Sequence, residues 1–191
     1  FKTSSGKLRT FKEYVADMKE DQTCIYYAAG ETAERAAHLP QTEAVLDRGY
    51  EVLYLTDDVD EFALMVLHDY EGKEFKNVSA EDARVQSDEE KQAAEKRAEE
   101  NKTLLEKMKG ILDGQVKDIR FSTSLKNHPV CITTDGAISM EMEKVLNSQP
   151  GMEQKVKAEQ ILEINAEHPV FETLRRFESD ADKLKKYTEV L

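Results

Sequence analysis

The chain has no basic patch. Lysine and arginine are outnumbered by aspartate and glutamate, and the net charge is −12. Phosphate contacts need clustered Lys and Arg, so the composition argues against DNA or RNA as a partner. The same balance argues against an anionic membrane surface. No apolar run reaches the length of a membrane span, and no stretch of this sequence reads as a signal peptide. Glycine-rich phosphate loops of the GxGxxG or GxxxxGK[ST] type are missing, as are GxSxG and HExxH. The four histidines, His38, His68, His128 and His168, are far apart and lack metal-ligand spacing. The acidic run Asp57 to Glu61 lacks the glycine and the distal glutamate of a calcium loop, and helix capping explains it better. The two cysteines, Cys24 and Cys131, lie in apolar, β-branched settings without a CxxC pair, which predicts buried free thiols. Nothing in these absences leaves a catalytic constellation.

Hydrophobic residues make up 39% of the chain, enough for a core under a heavily charged surface. The first 80 residues alternate helical and strand patterns. Phe1 to Arg9 reads as a tail or a first strand. Phe11, Tyr14, Val15 and Met18 mark one face of a short helix capped by Thr10. Cys24 to Ala28 and Tyr50 to Leu55 are strands of buried type, with Thr32 to His38 and Thr42 to Arg48 as helices between them and Gly49 as a stop. Thr56 to Asp58 cap a helix whose apolar positions Val59, Phe62, Met65 and Val66 are spaced as one face. Asp69 to Gly72 is a turn and Glu74 to Val78 a third strand. Such alternation implies a partly parallel sheet with helices packed on it.

From Ser79 to Gly110 aromatic residues disappear and Ala, Glu and Lys dominate. Ala83 to Ser87 reads as a linker, and Asp88 to Lys109 as one long charged helix ended by Gly110 and Gly114. Val116 to Phe121 and Pro129 to Thr133 read as a strand pair and Ile161 to Ile164 as a third strand. A helix follows with Pro169 in its first turn and Val170, Leu174 and Phe177 facing inward. A last helix from Asp180 carries Leu184, Tyr187 and Leu191 on one face, left open for a partner or a further segment. The fold class is therefore mixed α+β or α/β: two small α-β domains, each a short sheet packed with helices, joined by a charged helix. The composition change sets the domains at 1–82 and 83–191.

The helix after Asp135, with Ser139 as a second candidate cap and Ser148 to Gly151 as its end, carries most of the methionine-rich surface. Ile138, Met142, Val145 and Leu146 form a stripe at helical spacing. Met140 falls outside it, roughly opposite Ile138 at about 100° per residue. An unbranched, polarisable side chain there suits a variable partner. A single exposed apolar residue is also ordinary.

Several motifs then go beyond periodicity. Phe11-Lys-Glu-Tyr-Val-Ala-Asp-Met-Lys-Glu-Asp-Gln-Thr-Cys-Ile-Tyr-Tyr-Ala-Ala-Gly30 resembles the EYV.RMKE.Q..IYY.TG signature of the ninety-kilodalton heat-shock chaperone family. Gly49-Tyr-Glu-Val-Leu-Tyr-Leu-Thr-Asp-Asp-Val-Asp-Glu61 is similar to its G.EVL...D.IDE segment. Val116 to Phe121 and Met142 to Gln149 resemble its C-terminal domain, and Ile164-Asn-Ala-Glu-His-Pro169 its LNP.HP motif. The likeness covers essentially the whole chain and is closest to the bacterial type. The chain departs from the family at Phe62 (usually Trp), Ala166 (usually Pro) and Met65 (commonly polar).

The resemblance implies a fragment of an ATP-dependent chaperone, the chain starting at Phe1 rather than Met. Residues 1–82 would close the middle domain, and 83–191 would form a C-terminal domain truncated before its last helix. The family's ATP-binding domain and the loop that assists hydrolysis are not among these segments. The fragment is thus expected to be no enzyme and to need no cofactor, while the parent uses ATP and Mg2+. The resemblance further implies a cytoplasmic stress-response protein that assists folding, with non-native client proteins, a second copy in a homodimer, and other chaperones as partners. By position, Phe62, Met65, Ile138, Met140, Met142 and Leu146 are the candidate client-binding residues, and Leu184, Tyr187 and Leu191 the candidate dimer contact. The alternative role is architectural: the two domains relay nucleotide state and clients are held elsewhere.

Overall fold

Thr10 starts the first helix by a reciprocal capping box: its hydroxyl accepts from the Glu13 amide while the Glu13 side chain accepts from the Thr10 amide. This helix and the elements below come from a computed structural model that describes residues 1–84, 86–150 and 155–191. The strands are β1 (Lys2–Thr3), β2 (Ile25–Ala29), β3 (Val52–Leu55), β4 (Asp69–Tyr70), β5 (Lys73–Asn77), β6 (Asp118–Phe121), β7 (Val130–Asp135) and β8 (Glu159–Ile164). The helices are α1 (Phe11–Ala16), α2 (Ala33–Ala37), α3 (Thr42–Asp47), α4 (Asp60–Leu67), α5 (Asp88–Glu100), α6 (Lys102–Ile111), α7 (Met140–Ser148), α8 (Pro169–Arg176) and α9 (Ala181–Val190). The expected linker residue Val85 and the expected helix breaker Gly151 lie outside the described residues.

The chain forms two compact units. The first comprises Phe1–Arg84 and Thr134–Ala158, the second Val85–Thr133 and Glu159–Leu191. The first junction falls close to the composition change. Residues 134–158, however, pack with the first unit rather than with the sequence that flanks them. The Thr134 amide donates to the Ser79 carbonyl at 2.8 Å, and the Ser139 hydroxyl reaches Glu61 at 2.6 Å.

In the first unit the sheet order is β1-β3-β2-β5-β4. Strand β2 lies at its centre, parallel to both neighbours, with Tyr27 opposite Leu53 on one side and Ile25 opposite Phe75 on the other. A central strand covered on both faces needs an unbroken apolar run, and Ile25, Tyr26, Tyr27 and Ala28 are all buried. The edges are antiparallel: β1 on β3 and β4 on β5. The tight β4–β5 turn places Glu71 and Gly72 at positive φ, 51° and 75°, as a type I′ hairpin requires. Tyr14 of α1 closes one end of the core. Its phenol donates to the Glu51 carbonyl at 2.5 Å and accepts from Gln22 and the Tyr26 amide. Burial pushes that phenol up to about 12, so it stays neutral. Cys24 is free and buried, its thiol pushed up by burial.

The expected cap of α4 at Thr56 to Asp58 is replaced by a different arrangement. Val59 occupies the cap position without a side-chain bond. The Asp60 carboxylate turns back instead and accepts from the Thr56 and Asp57 amides.

In the second unit, the single long helix expected from Asp88 to Lys109 is two. The chain breaks at Asn101, at φ −118°, and Gly110 lies inside α6 rather than ending it. The polar α5 buries no side chain, whereas α6 turns Leu104, Leu105 and Met108 into the core. Strands β6 and β7 do not pair directly: β8 runs between them, parallel to β6. Ile119, Phe121, Leu162 and Ile164 alternate onto one face and meet α6, α8 and α9 in a single core. The inward positions of α8 are Phe171 and Leu174, with Val170 and Phe177 only half-buried. On the other face of the sheet, Glu163 of β8 is fully buried and accepts from Thr133 at 2.9 Å and from Arg120 at 3.3 Å. Cys131 of β7 is also buried and not in a disulfide.

Candidate functional site

Six of the nine residues singled out in the sequence lie on or beside α4 and α7, both in the first unit. The residue that joins the two helices is one the sequence reading passed over. Glu61, in the first turn of α4, is 5% exposed. Its carboxylate accepts from the Asn77 amide at 2.7 Å and from the Ser139 hydroxyl at 2.6 Å. Burial raises the Glu61 carboxyl above its ordinary value of 4.5, against the opposing pull of these donors. Ser139 also caps α7, accepting from the Met142 amide at 3.0 Å. One hydroxyl therefore fixes the start of α7 and ties it to α4.

With Glu61 and Leu64 turned inward, α4 turns much of its apolar surface outward. Val59 is 68% exposed, Met65 47%, Val66 87% and Leu67 47%. The stripe of Val59, Phe62, Met65 and Val66 read from the spacing is thus mostly exposed, with Phe62 half-buried. The sequence does hold a signal for this. Ala63 to Leu67 is apolar at every position, and a short helix apolar on all sides cannot bury each of them against one sheet.

On α7 the candidates separate. Met142 is buried, 3% exposed. Ile138, Met140 and Leu146 are half-buried, so Met140 is not the fully exposed residue that the helical wheel suggested. Met142 and Val145 line one hollow with Ala29, Leu55 and Glu61. Met65 lines a second with Tyr27, Leu64, Phe75 and Ala137. The first unit thus carries adaptable Met and aliphatic side chains beside a rigid polar anchor.

The three candidate dimer residues do not form an open stripe. Leu184 is 2% exposed within the core of the second unit, and Leu191 packs against that core. Tyr187 is the exposed member, and its ring stacks on Phe177 with centroids 5.3 Å apart. The outward apolar positions of α9 are Tyr187 and Val190.

ATP and Mg2+, implied for the parent by the resemblance, do not suit the hollow beside Met142. The hollow beside Met142 is walled by Asp57, Asp58, Glu61 and Glu141, and carboxylates repel a triphosphate. Among the described residues no group of three or more His, Cys, Asp or Glu is placed to hold a metal ion. No helix among them is long and apolar enough to cross a membrane.

The class of protein is settled by comparison with known sequences. The family model described as "Hsp90 protein" matches residues 1–191, and the chain belongs to that family. Within it the similarity is to the bacterial HtpG type. The chain is 55% identical to the "Chaperone protein HtpG" of Shouchella clausii, 53% to that of Clostridium acetobutylicum and 51% to that of Clostridium botulinum strain Langeland. Each alignment covers 100% of this chain and 30% of the relative. The chain therefore spans under a third of the length of the curated relatives it matches.

Proposed function

We propose that this chain is a client-binding segment of an Hsp90-family molecular chaperone that assists protein folding, and that α4 and α7 form its client surface. One observation carries the reading: Val59, Met65, Val66 and Leu67 stand exposed on a helix anchored through a buried carboxylate. An apolar surface rich in Met and aliphatic side chains repacks against many partners at low cost. The anchor beneath it keeps the surface in place while its occupants vary.

The whole protein, on this reading, is an ATP-dependent cytoplasmic homodimer that works with other chaperones and binds neither nucleic acid nor membrane. ATP and Mg2+ act in parts of the relatives that this chain does not span. Residues 1–82 and 83–191 correspond to the end of a middle domain and to a C-terminal domain. Tyr187 and Val190, the exposed apolar residues of α9, would support a dimer contact.

The test is suppression of aggregation of a chemically unfolded protein by the isolated chain. Suppression that Met65→Glu with Val66→Glu abolishes supports the client surface. A chain that suppresses nothing favours the architectural role.

A further inference from the structure

Helix α7 holds a stretch of its own chain in an unusual manner. Residues 155–158 have no regular secondary structure. The Asn147 side-chain amide makes two hydrogen bonds to one residue among them: its NH2 donates to the Val156 carbonyl at 2.8 Å, and its oxygen accepts from the Val156 amide at 2.9 Å. One turn earlier, the Glu143 carboxylate accepts from the Ala158 amide at 2.8 Å.

The pattern is that of a strand partner. In an extended chain the N–H and C=O of one residue, and those of the residue two further on, point to the same side. A neighbouring strand reads them by exchanging both bonds with a single residue. Asn147 supplies that exchange through its side chain, and Glu143 meets the next N–H in register. The two side chains are four apart on one helix, hence on one face. All three bonds go to main-chain atoms, which every polypeptide offers whatever its sequence.

We propose that Asn147 and Glu143 form a backbone-reading clamp for extended polypeptide. The chain's own residues 156–158 occupy it, and a main-chain segment of a non-native client displaces them. The inference rests on the client-binding reading and extends it: the exposed apolar side chains of α4 would supply affinity, and the clamp would fix chain direction without demanding a sequence. Recognition by main-chain pairing is the logic of strand addition at a sheet edge, here supplied by a helix.

The test titrates the 191-residue chain into a fluorescently labelled, reduced and carboxymethylated protein that cannot fold, read by anisotropy. Two variants both loosen the internal segment but differ in what they leave. Val156→Pro removes the N–H from the occupant and keeps the clamp intact; Asn147→Ala removes the clamp. At about one net hydrogen bond each, Val156→Pro should tighten binding roughly fivefold and Asn147→Ala should weaken it by at least as much. If the wild-type chain binds and the two variants shift together or not at all, the clamp proposal is overturned and the client reading stands. If the wild-type chain does not bind, both fall. Amide exchange gives a readout that needs no variant: protection at Val156 and Ala158 should drop as the unfolded protein saturates the chain. Protection unchanged at saturation contradicts the proposal.

Discussion

Ser139 donates to the buried Glu61 carboxylate at 2.6 Å while accepting from the Met142 amide, so the cap of α7 and the first turn of α4 share one hydroxyl. The bond spans 78 residues of sequence. It sets the two helices that carry the candidate client residues as a pair rather than as neighbours by chance.

Replacing Glu61 by alanine strands the Asn77 amide and the Ser139 hydroxyl in a buried site. The expected cost is about 3 kcal/mol, because unsatisfied buried donors lose their full desolvation penalty. Glu61→Gln keeps an acceptor and the side-chain volume and should cost about 1 kcal/mol or less. Urea denaturation of the two variants checks the difference. Equal midpoints would mean that the network does not anchor α4.

The same carboxylate gives a pH dependence of known sign. Its folded pKa lies above its ordinary 4.5 because burial disfavours the charge. The folded state therefore binds more protons than the unfolded chain, and the stabilisation from Glu61 is fully present below 4.5 and lost as pH rises through the folded value. Relative to Glu61→Gln, the wild-type chain should lose stability on going from pH 4.5 upward until the group is fully ionised. Paired denaturation curves across that window measure it. A constant difference between the two proteins contradicts the assignment.

The last helix separates core from surface. Leu184 sits in the core of the second unit, whereas Tyr187 lies outside it against Phe177. Leu184→Ala should destabilise by about 3 kcal/mol, as buried Leu truncations do. Tyr187→Ala should cost about 1 kcal/mol or less, the range for a surface ring pair. Thermal melts of both variants decide whether Leu184 serves the fold or only a partner; a negligible effect at Leu184 restores the open-stripe reading.

Much of this fold is legible locally. The Thr10 and Ser139 caps, the buried runs of β2 and β3, and the stop at Gly49, with φ of 70°, follow from rules that act within a few residues. What escaped reading is nonlocal. Nothing near β6 or β7 states that β8 will separate them, because strand order is decided by which apolar faces meet. The break at Asn101 falls on a weak helix former, with a second at Thr103, in an otherwise helix-favouring stretch. The outward turn of the apolar face of α4 depends on Glu61 finding two donors, on β5 and before α7. A glutamate with those partners is as much a core residue as leucine, and no pattern of hydrophobic residues reveals it. Among the client candidates, the helical wheel put Met140 on the open face, whereas the fold half-buries it.

The measurement that bears most directly on the client surface is methyl NMR of the isolated chain during titration with an unstructured client protein. Shifts concentrated at Val59, Met65, Val66 and Leu67, continuing to Ile138, Met140 and Leu146, are the expected result. Shifts absent at saturating client, or confined to the second unit, would contradict it and assign the chain an architectural role.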